Sequence, residues 1–129
     1  IHMYSGEAGK KARLGIYDDL NGAPNNLIQD FGEVAIDTGG LKTIAISPAL
    51  QLNPGVYWLA AVINSATAQV YYSGFGYRLP LIGFTDSLVA TPLHGYERSC
   101  AYGGLPNPFG SGTYSVRKWA AGLKLQSVP

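Results

Sequence analysis

The sequence predicts an all-β fold, an antiparallel β-sandwich of jelly-roll type with long ordered loops in its second half. Three observations carry this. The 17 Gly and 8 Pro recur as turn signals at intervals of about ten residues. Between them lie short runs rich in Val, Ile and the chain's 9 Tyr, residues that suit a pleated, half-buried surface. No segment holds the 3.6-residue periodicity of a helix of ordinary length, and there is no repeat or low-complexity tract.

Taken in order, Ala12 to Tyr17 alternates, with Ala12, Leu14 and Ile16 on one face and Arg13 and Tyr17 on the other, which predicts a half-buried strand. Asp18 to Asn26 packs turn formers together: Asn21-Gly22 suits positive φ, and Pro24 cannot donate to a ladder. A surface loop is expected there. Leu27 to Asp37 reads as one strand through Phe31, Val34 and Ile36, broken near Gly32 by a bulge. Leu41 to Ser47 alternates again and predicts another strand. After the Asn53-Pro54-Gly55 turn, Val56 to Ile63 is the most apolar run of the chain. It is expected to be the central core strand, with Trp58 in the core at a cost of ~3–5 kcal/mol for Trp58→Ala. Gln69 to Tyr72 is expected to be its antiparallel partner across Asn64-Ser65-Ala66-Thr67. Leu79 to Phe84 and Ser87 to Ala90 look strand-like, and Tyr114 to Leu125 predicts a last strand kinked at Gly122.

At 129 residues the chain fits one domain, 1–129, and the expectation, from an opening Ile1-His2-Met3-Tyr4 with strand-like residues, is of the C-terminal part of a longer protein. Hydrophobic residues make up 47% against 13% charged, so the chain has the apolar surface to offset ordering entropy and is not intrinsically disordered. A net charge of +1, with no basic run beyond two residues, disfavours nucleic acid as a partner. No apolar run approaches the ~20 residues of a membrane span, so a soluble chain without membrane insertion is expected. The single Cys100 cannot form an intrachain disulfide, which is consistent with a reducing compartment.

Chemistry is sparse. His2 and His94 fall in no metal-ligand spacing, and Cys100 lacks a nucleophile signature. Asp18, Asp19, Asp30, Glu33, Asp37, Asp86 and Glu97 could supply a glycosidase pair, but each reads equally well as a turn or solvent-facing residue. Asp18-Asp19-x-Asn21 lacks the spacing and closing Glu of a calcium loop, and Gly74-Phe75-Gly76-Tyr77 matches no phosphate-cradling pattern. No catalytic residue, cofactor or metal is assigned, and the chain reads as a binding or structural module. The remaining feature is aromatic. Tyr71, Tyr72, Phe75, Tyr77, Tyr96 and Tyr102, with Arg78 and Arg98 among them, are the candidate ligand-binding residues, because rings give large contact area at small entropic cost. The competing reading is that half of the aromatics pack on the core.

The run Ala12-Arg13-Leu14-Gly15-Ile16-Tyr17-Asp18-Asp19, then Asn21-Gly22-x-Pro24, then Pro54-Gly55-Val56-Tyr57-Trp58-Leu59-Ala60, resembles a β-rich domain of bacteriophage tail-fibre and other virion-fibre proteins. In that family a similar Arg-Leu-Gly-Ile-Tyr strand precedes an Asn-Gly-x-Pro-Gly loop. Tyr102-Gly103-Gly104-Leu105-Pro106 and the strand around Trp119 are similar to its ending, so the likeness spans most of the chain. The sequence departs at Asn25, where the family often has Gly, and in a longer aromatic middle, so no ligand carries over. The resemblance implies a jelly-roll-like, trimeric domain on a phage virion, assembled in the host bacterial cytoplasm. It would be a receptor-binding tip that takes a bacterial surface glycan, or a structural decoration or trimerisation element that contacts other virion proteins. A carbohydrate-binding module of a polysaccharide-degrading enzyme shares the sandwich class and the aromatic surface.

Overall fold

The computed structural model describes residues 1–73, 95–115, 118–119 and 122–123. The strands expected at 79–84 and 87–90, and the ligand candidates Phe75, Tyr77 and Arg78, lie outside them. Among the described residues every sheet is antiparallel and no helix occurs, so the all-β class holds.

The framework is a long hairpin. Strands β2 (Lys11–Leu20) and β3 (Ala23–Ala35) are joined by Asn21-Gly22 alone, whose φ of 56° and 84° are the left-handed pair of a two-residue turn that matches the strand twist. The loop expected over 18–26 is therefore a tight turn, with Asp19 Oδ2 accepting the Gly22 N–H at 3.1 Å. Pro24 is tolerated inside β3 because β3 is an edge strand, in the order β3-β2-β5. The bulge expected near Gly32 is present: Leu14 faces Gly32 but Gly15 faces Asp30, leaving Phe31 extra, and Gly32 takes a φ of 85°.

Strand β5 (Tyr57–Ile63) pairs with the other side of β2, from Ala12 opposite Ile63 to Asp18 opposite Tyr57. The expectation that Val56 to Ile63 is the central strand is corrected, since β2 holds that position and Val56 and Leu59 are exposed. The expected hairpin of β5 with Gln69 to Tyr72 does not form either. β6 (Gln69–Val70) pairs with β1 (His2–Ser5), which also takes β4 (Gly40–Leu41) on its other side. Of the strand expected over Leu41 to Ser47, only Leu41 enters a ladder. Of the last strand expected over Tyr114 to Leu125, the described residues give two pieces with separate partners. β9 (Thr113–Ser115) pairs with β8 (Gly95–Glu97), and β10 (Lys118–Trp119) pairs with β7 (Tyr72–Ser73).

Alternation along β2 gives its sheet two apolar faces. Ala12 and Leu14 point to one side, where Ile1, Met3, Ile36 and Ala68 complete a buried cluster, with Val34, Ala61, Ile63 and Val70 packed against it. The side chain of Met3 fills the space between the two three-stranded sheets and is 0% exposed. Arg13, Gly15 and Tyr17 point to the other side, and the irregular segment 98–112 crosses it as a cap. Gly15 makes room for this crossing. A Cβ there would lie 2.9 Å from the Gln29 carbonyl and run into the Leu105 side chain, so any larger residue would push the cap outward.

Candidate functional site

The aromatic residues of the described structure fall into two groups. The first belongs to the cap. Tyr17, 0% exposed, donates to the Pro106 carbonyl at 2.7 Å and meets Phe109 edge-on at 5.2 Å. Burial pushes its hydroxyl up to about 12. Trp58 Nε1 donates to Asp19 at 2.7 Å, and its ring approaches Tyr96, which in turn packs on Phe109 and Tyr114. Trp58 is thus half-buried beneath the cap on the face away from the main core, which corrects its expected place.

A charged network ties the cap down. Arg13 donates to Asp30 at 3.0 Å and to Glu33 at 3.1 Å, while Lys11 donates to Glu33 at 3.0 Å. The Tyr102 hydroxyl donates to Glu33, and the Leu105 N–H to Asp30. Burial pulls Asp30 upward, but the N–H groups of Gly32 and Leu105 together with Arg13 outweigh it and hold its carboxyl below the usual range. Hydrogen bonds from Lys11 and Tyr102, then from Arg13, likewise lower Glu33. Two further bonds pin the cap to β3, from Leu27 N–H to Asn107 Oδ1 and from Phe109 N–H to the Asn25 carbonyl.

The second group is open. Alternation in β1 buries Ile1 and Met3 and turns His2 and Tyr4 outward. The Tyr71 N–H donates to the His2 carbonyl at 2.9 Å, which brings the Tyr71 ring to 4.6 Å from His2 and edge-on to Tyr4 at 5.3 Å. Tyr4 is 63% exposed, Tyr71 43%, and Leu41, facing His2 in the ladder, 70%. Tyr71 thus touches both other rings, and all three residues are exposed.

The ligand candidates are accordingly divided. Tyr71 lies on the open face. Tyr96 and Tyr102 are packing and tethering residues of the cap, and Tyr96 Oη accepts the Gly112 N–H at 3.2 Å. Arg98 donates to the Phe109 carbonyl from beside an open groove of about 500 Å³ lined by Glu97, Ser99, Ser111 and Thr113. Tyr72 contributes backbone to β7. His2, Tyr4 and Leu41 were not among the candidates; the alternation of Ile1-His2-Met3-Tyr4 was the signal for them, over a run too short to stand alone.

Five of the seven glycosidase candidates have other work, and Glu97 lines the open groove. Asp18 accepts from Asn26 N–H at 2.6 Å and from its side-chain amide at 3.0 Å, and Asp37 accepts from Gly9 N–H at 2.7 Å. Asp19 holds Trp58 and the turn, and Asp30 and Glu33 share Arg13; Asp86 lies outside the described residues. Cys100 is exposed. Among the described residues no three His, Cys, Asp or Glu side chains converge on a point. Compared with known protein families, curated proteins and solved structures, the chain matches none of them.

Proposed function

We propose that this chain is a recognition domain of a virion fibre, a jelly-roll-like sandwich that binds a bacterial surface glycan through the open face of the β4-β1-β6 sheet. The observation that carries this reading is the exposure of Tyr4 and Tyr71. Rigid rings of this kind offer an apolar face to the C–H surface of a sugar and a hydroxyl tip to its oxygens. The likeness of 12–19 and 54–60 to phage fibre domains supplies the biological setting. No catalytic role is assigned, since the carboxylates of the charged network are paired and lowered rather than raised as a general acid requires.

The test is titration of the chain with a panel of bacterial surface polysaccharides. Saturable binding that falls at least tenfold in Tyr71→Ala and in Tyr4→Ala, but not in Tyr102→Phe, is expected. Binding to no glycan, or binding insensitive to both substitutions, removes the reading. The exposure of Leu41, an aliphatic residue with no hydrogen-bonding tip, favours a second reading in which this face docks on another virion protein as decoration or fibre structure. Docking on virion proteins without glycan binding would select it.

A further inference from the structure

Most of the described tyrosines spend their hydroxyls inside the chain. Those of Tyr17, Tyr57, Tyr102 and Tyr114 donate to the Pro106 carbonyl, the Asn53 carbonyl, Glu33 and the Gly22 carbonyl, and that of Tyr96 accepts the Gly112 N–H. Tyr4 and Tyr71 differ: among the described residues neither hydroxyl holds a hydrogen bond, and nor does the His2 imidazole. Gln69 joins them on the open face, since alternation from the half-buried Val70 turns both Gln69 and Tyr71 outward. His2, Tyr4, Leu41, Gln69 and Tyr71 thus form a face with no carboxylate, ammonium or guanidinium group of its own. The spacing of the rings limits what can lie on it. Rings that read successive sugars of a chain stand a sugar length apart and turn their faces the same way. Here the His2 and Tyr4 centroids lie 4.6 Å and 5.3 Å from that of Tyr71, the range of rings in contact, and a pyranose is about as broad as one such ring. The planes also disagree, by 41° and 85°, so a sugar lying flat on Tyr71 lies flat on neither neighbour.

We infer that this face takes one uncharged pyranose unit, at the end or a branch of a glycan, and not a run of a linear polysaccharide; the inference rests on the reading of the face as a glycan site. The C–H surface of the sugar lies on one tyrosine ring, and the other ring, nearly perpendicular to it, walls one side and stops a chain from running straight across. The free hydroxyls of Tyr4 and Tyr71, the imidazole and the Gln69 amide each donate and accept, which matches the hydroxyl rim of a sugar. An acidic sugar would give up water around its charge and find no cation on the face in return.

The experiment titrates the intact chain, followed by NMR, with methyl pyranosides of neutral and acidic sugars and with the linear disaccharide and tetrasaccharide of each. A neutral methyl pyranoside is expected to shift the Tyr4 and Tyr71 resonances, and its tetrasaccharide to bind within about threefold of it. Tyr4→Phe and Tyr71→Phe keep both rings and should each weaken that binding about threefold, the scale of one hydrogen bond. A tetrasaccharide tighter than its methyl glycoside by about tenfold or more, a preference for acidic sugars, or indifference to both substitutions overturns the inference and leaves the glycan reading standing. So does binding of a surface polysaccharide with no response to any methyl pyranoside. Binding of neither polysaccharide nor saccharide overturns the inference and the reading together.

Discussion

The cap and the open face are built from the same residue types and end in opposite states. Beneath the cap, Tyr17, Trp58, Tyr96 and Tyr102 each have a ring contact or a backbone neighbour and a named hydrogen-bond partner. On the open face, Tyr4, Tyr71 and His2 have chiefly one another. The difference lies in what crosses the sheet: segment 98–112 runs over β2 because Gly15 lets Leu105 close in, and among the described residues nothing crosses β1. Aromatic count is thus a poor guide to a binding surface. The distinction is whether the chain supplies its own cover.

The contrast is most exposed to test at Tyr17. Tyr17→Ala should cost ~3–5 kcal/mol, the scale of emptying a buried ring site, read as a large fall in the denaturant midpoint. A loss under about 1 kcal/mol would mean that the cap is loosely held. A smaller effect is expected at Trp58, where Trp58→Phe keeps an aromatic ring but leaves Asp19 Oδ1 without its donor, at about 1 kcal/mol. Acid sharpens the comparison further. Asp30 and Glu33 titrate below their ordinary values in the folded chain, so the folded state binds fewer protons than the unfolded state. Their contribution is complete above the unfolded carboxylate range near pH 4 and is lost as pH falls through the lowered folded values. Cap fluorescence from Trp58 should change in that window, and Asp30→Asn with Glu33→Gln should flatten the dependence. Last, Tyr71→Ala on the open face should leave the unfolding free energy, read from a denaturant titration, within about 0.5 kcal/mol of the parent. A large loss there would make Tyr71 a packing residue and leave the proposed glycan surface without its central ring.

Local chemistry made part of this legible in advance. Asn21-Gly22 takes the two positive φ values its side chains allow, and the Gly32 bulge and the alternation of Ala12 to Tyr17 stand where the residue pattern puts them. These are decisions made within a few residues, by sterics and by the period of two. Pairing is a different matter. Val56 to Ile63 is the most apolar run, yet it lies beside β2 and not at the centre, since β2 pairs with β3 on one side and β5 on the other. Gln69-Val70 passes over the adjacent β5 to join β1, a contact separated by more than sixty residues whose partner the sequence does not mark. The candidate site divides in the same way: Tyr71 was visible as an aromatic in a loop-rich region, whereas Tyr4 and His2 needed a ladder partner to hold them outward.

What the sequence determined by itself is the all-β class, the long hairpin with its turn and bulge, and an abundance of rings without an evident catalytic constellation. Tertiary structure alone decided which rings are covered, which carboxylates serve as anchors, and which strand-like segment remains without a ladder. The physical reason is range. Turn conformation and side-chain alternation are set by neighbours along the chain, while exposure is set by whatever segment happens to lie across the sheet, and that is fixed by contacts between residues far apart in sequence.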